Sequence, residues 1–329
     1  MSKKIILGQF FTRESSWLKP QVADFIAKSG AGIAYDPFAG SGCLLNTVTE
    51  AGLVKSTVGL DIDPSLGWKI NDSLVSIPHV DGAAIVTNPP YISNYSAARK
   101  KIIAQLQKYF DSTEYDDLYL LALDRMLDAQ ETVVAIVPET FINSPYRRKD
   151  RLHSITVLED NPFTDTDTPV AVLCFDGVSK KLDKVKVYRN GDYVDTLGNL
   201  ESMRLAPSGE LPVVFNDPAG WLAVRCVDTT DPKKPLEFGT KETIPYDWDG
   251  GIKVSSRLVT LVSVNIPQRD RGRFIGVCNR MLREFRERTS DLVLSPFKGN
   301  MKDNRRRRRL DYCTCRALIE GAYREIYGD

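Results

Sequence analysis

The sequence predicts an α/β protein: a doubly wound sheet of about seven strands over residues 1–180, then a mixed α+β region over residues 181–329. Three observations carry this. Apolar runs of strand length, at residues 33–35, 56–60, 83–86, 132–137, 155–158 and 169–175, alternate with helical stretches. A glycine-rich turn, residues 36–42, follows the first of these runs and precedes a helical stretch. From Lys180 the texture changes to short, turn-rich segments such as Asn190-Gly191-Asp192 and Pro207-Ser208-Gly209, which sets the boundary near residues 178–185.

In order, residues 16–28 read as a helix with Leu18, Val22, Phe25 and Ile26 on one face, ended by Gly30 and Gly32. Residues 43–51 form the helix after the glycine turn. Residues 56–60 make the second strand, closed by Asp61-Ile62-Asp63-Pro64, and Asn71-Asp72-Ser73-Leu74 ends a third. A helix over 97–110 and another over 115–127 lead to the strand at 132–137. Arg147, Arg148, Lys149 and Arg151 read as a solvated helix face. In the second half, a strand at 258–264, a basic helix over 274–288 and a closing helix over 312–327 stand out.

Hydrophobic content of 42% and charged content of 26% are ordinary for a globular chain. No run of 18 apolar residues is present, and the start of the chain is too short in apolar residues for a secretory signal. No membrane association is expected. The six cysteines contain no CxxC pair and are expected to be reduced thiols, in the cytoplasm. Two histidines, His79 and His153, leave little room for histidine catalysis, and no metal site is expected. The net charge of +1 hides an asymmetry. Residues 1–178 carry 16 basic and 22 acidic side chains, residues 179–329 carry 28 and 21. A basic half suggests a polyanion partner, although a charge run can also be a solvated face.

The chemistry centres on Asn88-Pro89-Pro90-Tyr91, after the apolar run 83–86. Two prolines end the strand and remove backbone donors, so carbonyls there are open to another donor. An amide oxygen beside such a turn suits a planar –NH2 group, and Tyr91 adds a flat face. The plain alternative is a proline turn closed by a packed tyrosine. The glycine turn offers backbone N–H groups at a helix start, but it is neither GxGxxG nor a GK[ST] phosphate loop. Asp61, at the end of the second strand, is placed to pair with ribose hydroxyls. Asp72 could accept from an adenine amino group.

Taken together, residues 8–12 (Gly-Gln-Phe-Phe-Thr), the turn Asp36-Pro37-Phe38-Ala39-Gly40-Ser41-Gly42, the Gly59-Leu60-Asp61-Ile62-Asp63-Pro64 stretch, Asn71-Asp72-Ser73-Leu74 and Asn88-Pro89-Pro90-Tyr91 occur in one order. In that order the sequence resembles the S-adenosylmethionine-dependent DNA amino-methyltransferases, specifically the adenine-N6 enzymes with a C-terminal target-recognition region, of restriction-modification type. Arg13 stands where the family usually has proline. The resemblance covers about residues 8–176 and implies a Rossmann-like methyltransferase sheet. It implies that S-adenosyl-L-methionine contacts Gln9, Phe10, Phe11, Thr12, Asp36, Phe38, Ala39, Gly40, Gly42, Asp61, Ile62, Asp72 and Asn88. It further implies that Asn88, Pro89, Pro90 and Tyr91 are catalytic, acting on an adenine flipped out of double-stranded DNA. Tyr91 and Phe163 would then stack on the base, Phe163 being otherwise a core aromatic.

The basic second half reads as the DNA-recognition domain, with Lys298, Arg305, Arg306, Arg307, Arg308 and Arg309 as phosphate contacts. A solvated loop is the alternative for that arginine run. A cognate restriction endonuclease acting on the same site, without a stable complex, is the expected companion. Rival readings are a protein-glutamine or an RNA-base N-methyltransferase using the same tetrapeptide, or a cytosine-N4 enzyme. A non-enzymatic DNA-binding protein is the remaining class, and the intact tetrapeptide and glycine loop argue against it.

Overall fold

The computed structural model describes residues 15–163, 166–248 and 258–328. The chain divides into two compact units, residues 1–198 and 199–329.

In the first unit, α1 (Pro20–Lys28) starts at a proline, which fixes φ and lacks the N–H that a first turn leaves unbonded anyway. This is why the helix begins at residue 20, with a 3-10 turn at Ser15–Trp17 before it, and not at 16 as the periodicity suggests. There follow β1 (Ile33–Asp36), α2 (Cys43–Glu50), β2 (Ser56–Asp61), β3 (Lys69–Ile70) and β4 (Ala83–Thr87). Next come α3 (Asn94–Arg99), α4 (Ile103–Phe110), α5 (Leu118–Ala129), β5 (Thr132–Pro138), β6 (Leu152–Val157), β7 (Val170–Asp176), β8 (Lys186–Arg189) and β9 (Asp192–Thr196). The single helix expected over 97–110 is two, because Lys101 adopts a left-handed φ of 59° and breaks the run.

These strands form one sheet in the order β3-β2-β1-β4-β5-β7-β6-β8-β9. It has nine strands where the sequence suggested about seven. The hairpin of β8 and β9 extends it past residue 180, by parallel pairing of β8 on β6. β3, β2, β1, β4 and β5 run parallel, and β7 runs antiparallel between β5 and β6. Every residue of β4 is buried, as expected for a parallel strand covered on both faces. The core joins Trp17, Phe25 and Ile26 to Leu45 and Val48 of α2 and to Val86, Val134 and Val172 of the sheet.

Lys149–Arg151 is a short 3-10 turn, not part of a helix face. Arg148 is turned inward: Nη1 donates to Asp128 Oδ1 at 2.7 Å and to the Asp124 carbonyl, and Nη2 donates to the Leu127 carbonyl. It therefore holds the C-terminal end of α5, in part through the Leu127 carbonyl of its last turn.

α6 (Leu197–Ser202) begins at the end of the first unit. The second unit holds an antiparallel sheet in the order β10 (Val213–Phe215), β13 (Val259–Val264), β11 (Leu222–Arg225), β12 (Glu237–Gly239). It continues with α7 (Arg271–Arg288), the hairpin of β14 (Ser295–Asn300) and β15 (Arg306–Arg309), and α8 (Tyr312–Tyr327). α7 buries Phe274, Cys278, Leu282 and Phe285 at 3–4-residue spacing, and its arginines take the other faces.

Candidate active site

The strand order reverses between β1 and β4, which is where an open α/β sheet binds ligands. Asp36 ends β1 and Thr87 ends β4, side by side. The Thr87 hydroxyl donates to Asp36 Oδ1 at 2.5 Å, and the Phe38 N–H donates to the same oxygen at 2.9 Å. Asp36 is only 2% exposed. Burial pushes its carboxyl up to about pH 7; the Thr87 and Phe38 bonds oppose this, and the nearby Asp61 charge adds to it.

The glycine turn is held from two sides. The Ala39 N–H donates to the Leu60 carbonyl at 2.9 Å and the Gly40 N–H to Asp61 Oδ2 at 2.9 Å. The other Asp61 oxygen accepts from the Asp63 N–H at 2.9 Å. Gly40 and Gly42 take left-handed φ values of 52° and 79°, so the turn needs glycine before α2 can start. Trp68, which the sequence reading missed, donates from Nε1 to the Gly40 carbonyl at 2.8 Å. Its ring lies over Gly59, where an added Cβ would come within 2.4 Å of it. A glycine inside a strand is the sequence signal for such a close approach. Ser73 donates to the Pro37 carbonyl at 2.6 Å, tying the stretch after β3 to the same turn.

These elements line a cavity that is partly open to solvent. Asp36, Phe38, Ala39 and Gly40 form one wall; Asp61, Ile62 and Asp72 another; Asn88 and Pro90 a third. Gly42 sits behind them as the N-cap of α2. Leu106 and Tyr109 of α4, which no motif announced, and Leu118 of α5, in the strongly helical stretch 115–127, complete the cavity. Asp72 Oδ2 accepts from Lys108 Nζ and from the Tyr109 hydroxyl, both at 2.9 Å, so α4 is tied to the cavity rim. Gln9, Phe10, Phe11 and Thr12 lie outside the described residues.

Asn88 and Pro90 line the cavity, Pro89 is buried behind them, and Tyr91 turns inward. Its hydroxyl donates to the Ile136 carbonyl at 2.8 Å and contacts the Asn88 side-chain oxygen. The Tyr91 ring meets Phe163 edge to face, with centroids 6.2 Å apart and planes at 72°. Phe163 is 5% exposed and belongs to the core cluster. As the two rings stand, no base fits between them. Phe163 packs here as the core aromatic that is its other reading; the edge-to-face contact is what two rings adopt when they pack on each other.

The arginine run is also not the array expected. β15 alternates, as any strand does, and buries Arg306 and Arg308 to 9% and 1% exposure. Arg306 Nη1 donates to Asn300 Oδ1 at 2.8 Å and Arg308 Nη1 to the Leu294 carbonyl at 3.4 Å. Arg307 reaches back along the hairpin to the Asp228 and Lys298 carbonyls and lies over the Phe297 ring. Arg309 is half-buried; Arg305 and Lys298 are exposed. Two of the five arginines therefore cannot meet a phosphate in this conformation. Among the described residues no group of three or more His, Cys, Asp or Glu could hold a metal ion, and no helix is long and apolar enough to cross a membrane.

Residues 83–165, which include the tetrapeptide, match the Eco57I restriction-modification methylase family. No curated protein matches the chain. Among solved structures it is similar to a Listeria monocytogenes protein assigned to the class I S-adenosylmethionine-dependent methyltransferases, at 15% identity over 55% of this chain and 66% of that one, TM-score 0.38. It is similar to the type I restriction-modification methyltransferase subunit from Streptococcus thermophilus, at 15% identity over 59% of this chain and 52% of that one, TM-score 0.39. It is also similar to the M protein of the type I restriction enzyme EcoKI, at 13% identity over 83% of this chain and 71% of that one, TM-score 0.34. The chain thus spans about half the length of the Streptococcus subunit and just under two thirds of the Listeria protein. Residues 83–165 thus carry the mark of a restriction-modification methylase.

Proposed function

We propose that this chain methylates the N6 amino group of an adenine flipped out of double-stranded DNA, as the modification enzyme of a restriction-modification system. The observation that supports this most is the placement of Asn88 in one cavity with the glycine turn and Asp61. The donor set suits a nucleoside carrying a cationic amino-acid end. Asp36 offers a buried carboxyl, Gly40 a backbone loop, Asp61 a carboxylate at the end of β2, and Ile62, 47% exposed, an apolar face. Gly42 and Phe38 shape the turn, and Asp72 reaches the rim. When bound, S-adenosylmethionine supplies an electrophilic methyl group.

The rest is the work of this chain. The Asn88 side-chain amide oxygen and the Pro89 carbonyl are the two acceptors offered to the hydrogens of an exocyclic amine. The amine nitrogen is thereby drawn toward tetrahedral geometry and its own lone pair aimed into the cavity. No strong base is needed, in keeping with the absence of histidine from the cavity walls. Holding two reactants aligned is worth roughly 7–11 kcal/mol. Tyr91 gives the base a ring to lie on once Phe163 moves off it, at about 1–3 kcal/mol per stacked base. In this reading residues 1–180 bind cofactor and do chemistry, residues 181–329 recognise the target, and a cognate endonuclease cuts the same site without a stable complex.

The test is methyl transfer from isotopically labelled S-adenosylmethionine to duplex DNA, with the product digested to nucleosides. N6-methyladenine is expected, and its loss with Asn88→Ala. N4-methylcytosine would reassign the base. Label appearing in RNA or in protein glutamine, and not in DNA, would overturn the reading.

A further inference from the structure

The cations that the sequence scatters over 70 residues meet at one end of the second unit. We propose that Lys233, Lys234, Lys298, Lys302 and Arg305 form a basic ridge that grips the phosphate backbone of duplex DNA, while Arg306, Arg307 and Arg308 build the ridge without touching DNA. The inference rests on the DNA reading above and says which surface does the gripping.

The scaffold is defined by backbone bonds. Residues 226–230 run along the outer side of β15: the Leu310 N–H donates to the Cys226 carbonyl at 2.9 Å, Asp228 N–H to the Arg308 carbonyl at 3.0 Å, and Lys302 N–H to the Thr230 carbonyl at 2.9 Å. The turn after Thr230 and the turn between β14 and β15 therefore lie together. Both are stiff. Lys234 N–H donates to the Asp231 carbonyl at 2.9 Å and Thr229 N–H to the Lys234 carbonyl at 3.2 Å, with Pro232 and Pro235 on either side of the lysine pair. In the hairpin turn, Met301 N–H donates to the Arg305 carbonyl at 2.8 Å and Asn304 N–H to the Met301 carbonyl at 3.0 Å.

Beneath the ridge, Asp228 is fully buried and accepts from Arg286 Nη1 and Nη2 at 2.9 and 3.0 Å, from the Arg308 N–H at 2.8 Å and from the Leu236 N–H at 2.8 Å. Arg307 joins the Asp228 carbonyl to the Lys298 carbonyl. Arg306, Arg307 and Arg308 thus each direct a donor to a group of the protein itself. The four lysines do the opposite: each is exposed, and none makes an ion pair among the described residues. Arg305 is exposed with Asp303 as its partner, at 2.8 Å, an ion pair that a phosphate can replace with little loss. A rigid edge carrying this many unneutralised cations fits a regular polyanion. The attraction comes from counter-ion release and is independent of base sequence.

The experiment is duplex binding across a salt series for the full chain, on several unrelated duplexes, with methyl transfer to DNA assayed in parallel. Replacing Lys233, Lys234, Lys298 and Lys302 together by Gln is expected to weaken binding to every duplex alike. It should flatten the slope of log affinity against log salt by about 0.9 for each phosphate no longer neutralised, about 3–4 in all. The paired variant Arg269→Gln with Arg273→Gln, on and before α7, is expected to leave the slope unchanged. An unchanged slope in the lysine variant, or flattening only in the α7 variant, overturns the ridge while leaving the DNA reading in place. A wild-type protein that neither binds duplex nor methylates it overturns the DNA reading itself. Wild-type slopes steeper on single-stranded RNA than on duplex would remove duplex DNA as the partner.

Discussion

The glycine turn of the first unit and the arginine run of the second are both short, contiguous and conspicuous in the sequence, yet they are built in different ways. The turn works through its backbone. Gly40 and Gly42 supply the φ values, Asp61 receives the Gly40 N–H, and the cavity follows. Backbone work of this kind is local, so neighbouring residues share one task. The arginine run works through side chains on a strand, whose period of two sends neighbours to opposite faces. Arg306 and Arg308 go inside, and Arg305 stays in water. A motif on a turn can be read as a unit; a motif on a strand has to be split by face first.

The comparison can be broken in four places. The largest effect is expected at the tetrapeptide: Asn88→Ala should lower kcat on the order of 10²–10³ or more, the scale for losing one oriented polar group at a reacting centre. Its unfolding midpoint should stay near wild type. A large fall in stability instead would make Asn88 a structural residue. Next is Asp228→Ala, which removes one of the two carboxylates paired with Arg286 and the acceptor of the Arg308 and Leu236 N–H groups, and should cost about 3–5 kcal/mol in denaturant unfolding. Arg305→Gln, on the exposed side of the same hairpin, should stay within about 0.5 kcal/mol. Equal costs at the two sites would contradict the division of the run into staple and surface.

Third, Asp61→Ala should weaken S-adenosylmethionine binding by about 1.5–3 kcal/mol through loss of a charge-assisted pair. Unchanged affinity by calorimetry would remove Asp61 as the ribose partner. The last effect concerns pH. The Asp36 carboxyl is raised in the folded protein from 3.8 to about 7. A raised value means that its contribution to stability is complete below about 3.8 and is lost as pH rises through about 7. The unfolding midpoint of wild type relative to Asp36→Asn should therefore fall between about pH 4 and pH 7 and level off above that. A cationic ligand favours the ionised carboxyl, so cofactor affinity should rise over the same interval. A flat difference in both would show that Asp36 is already ionised.

Much of the first unit was legible. Strand-length apolar runs, proline at a strand end and glycine after a strand have local causes, and β1, β2, β4, β5 and β7 fall where they point. What stayed hidden is tertiary. Trp68 matters because Gly59 leaves it room, Tyr109 because Asp72 accepts its hydroxyl, and Phe163 is closed because Tyr91 packs against it. β8 and β9 joined the sheet across a boundary drawn from composition, since pairing on β6 depends on a free sheet edge and not on loop texture. In the second unit, no local pattern brings Asp228 to Arg286, 58 residues away.

The most direct measurement is modification-sensitive sequencing of DNA from cells expressing the wild-type chain and, separately, Asn88→Ala. Adenines within one sequence motif should be modified by the wild type and untouched by the variant. DNA without modified adenine in the wild-type cells, or the same modification in the variant, would contradict the assignment of the Asn88 turn to methyl transfer on DNA.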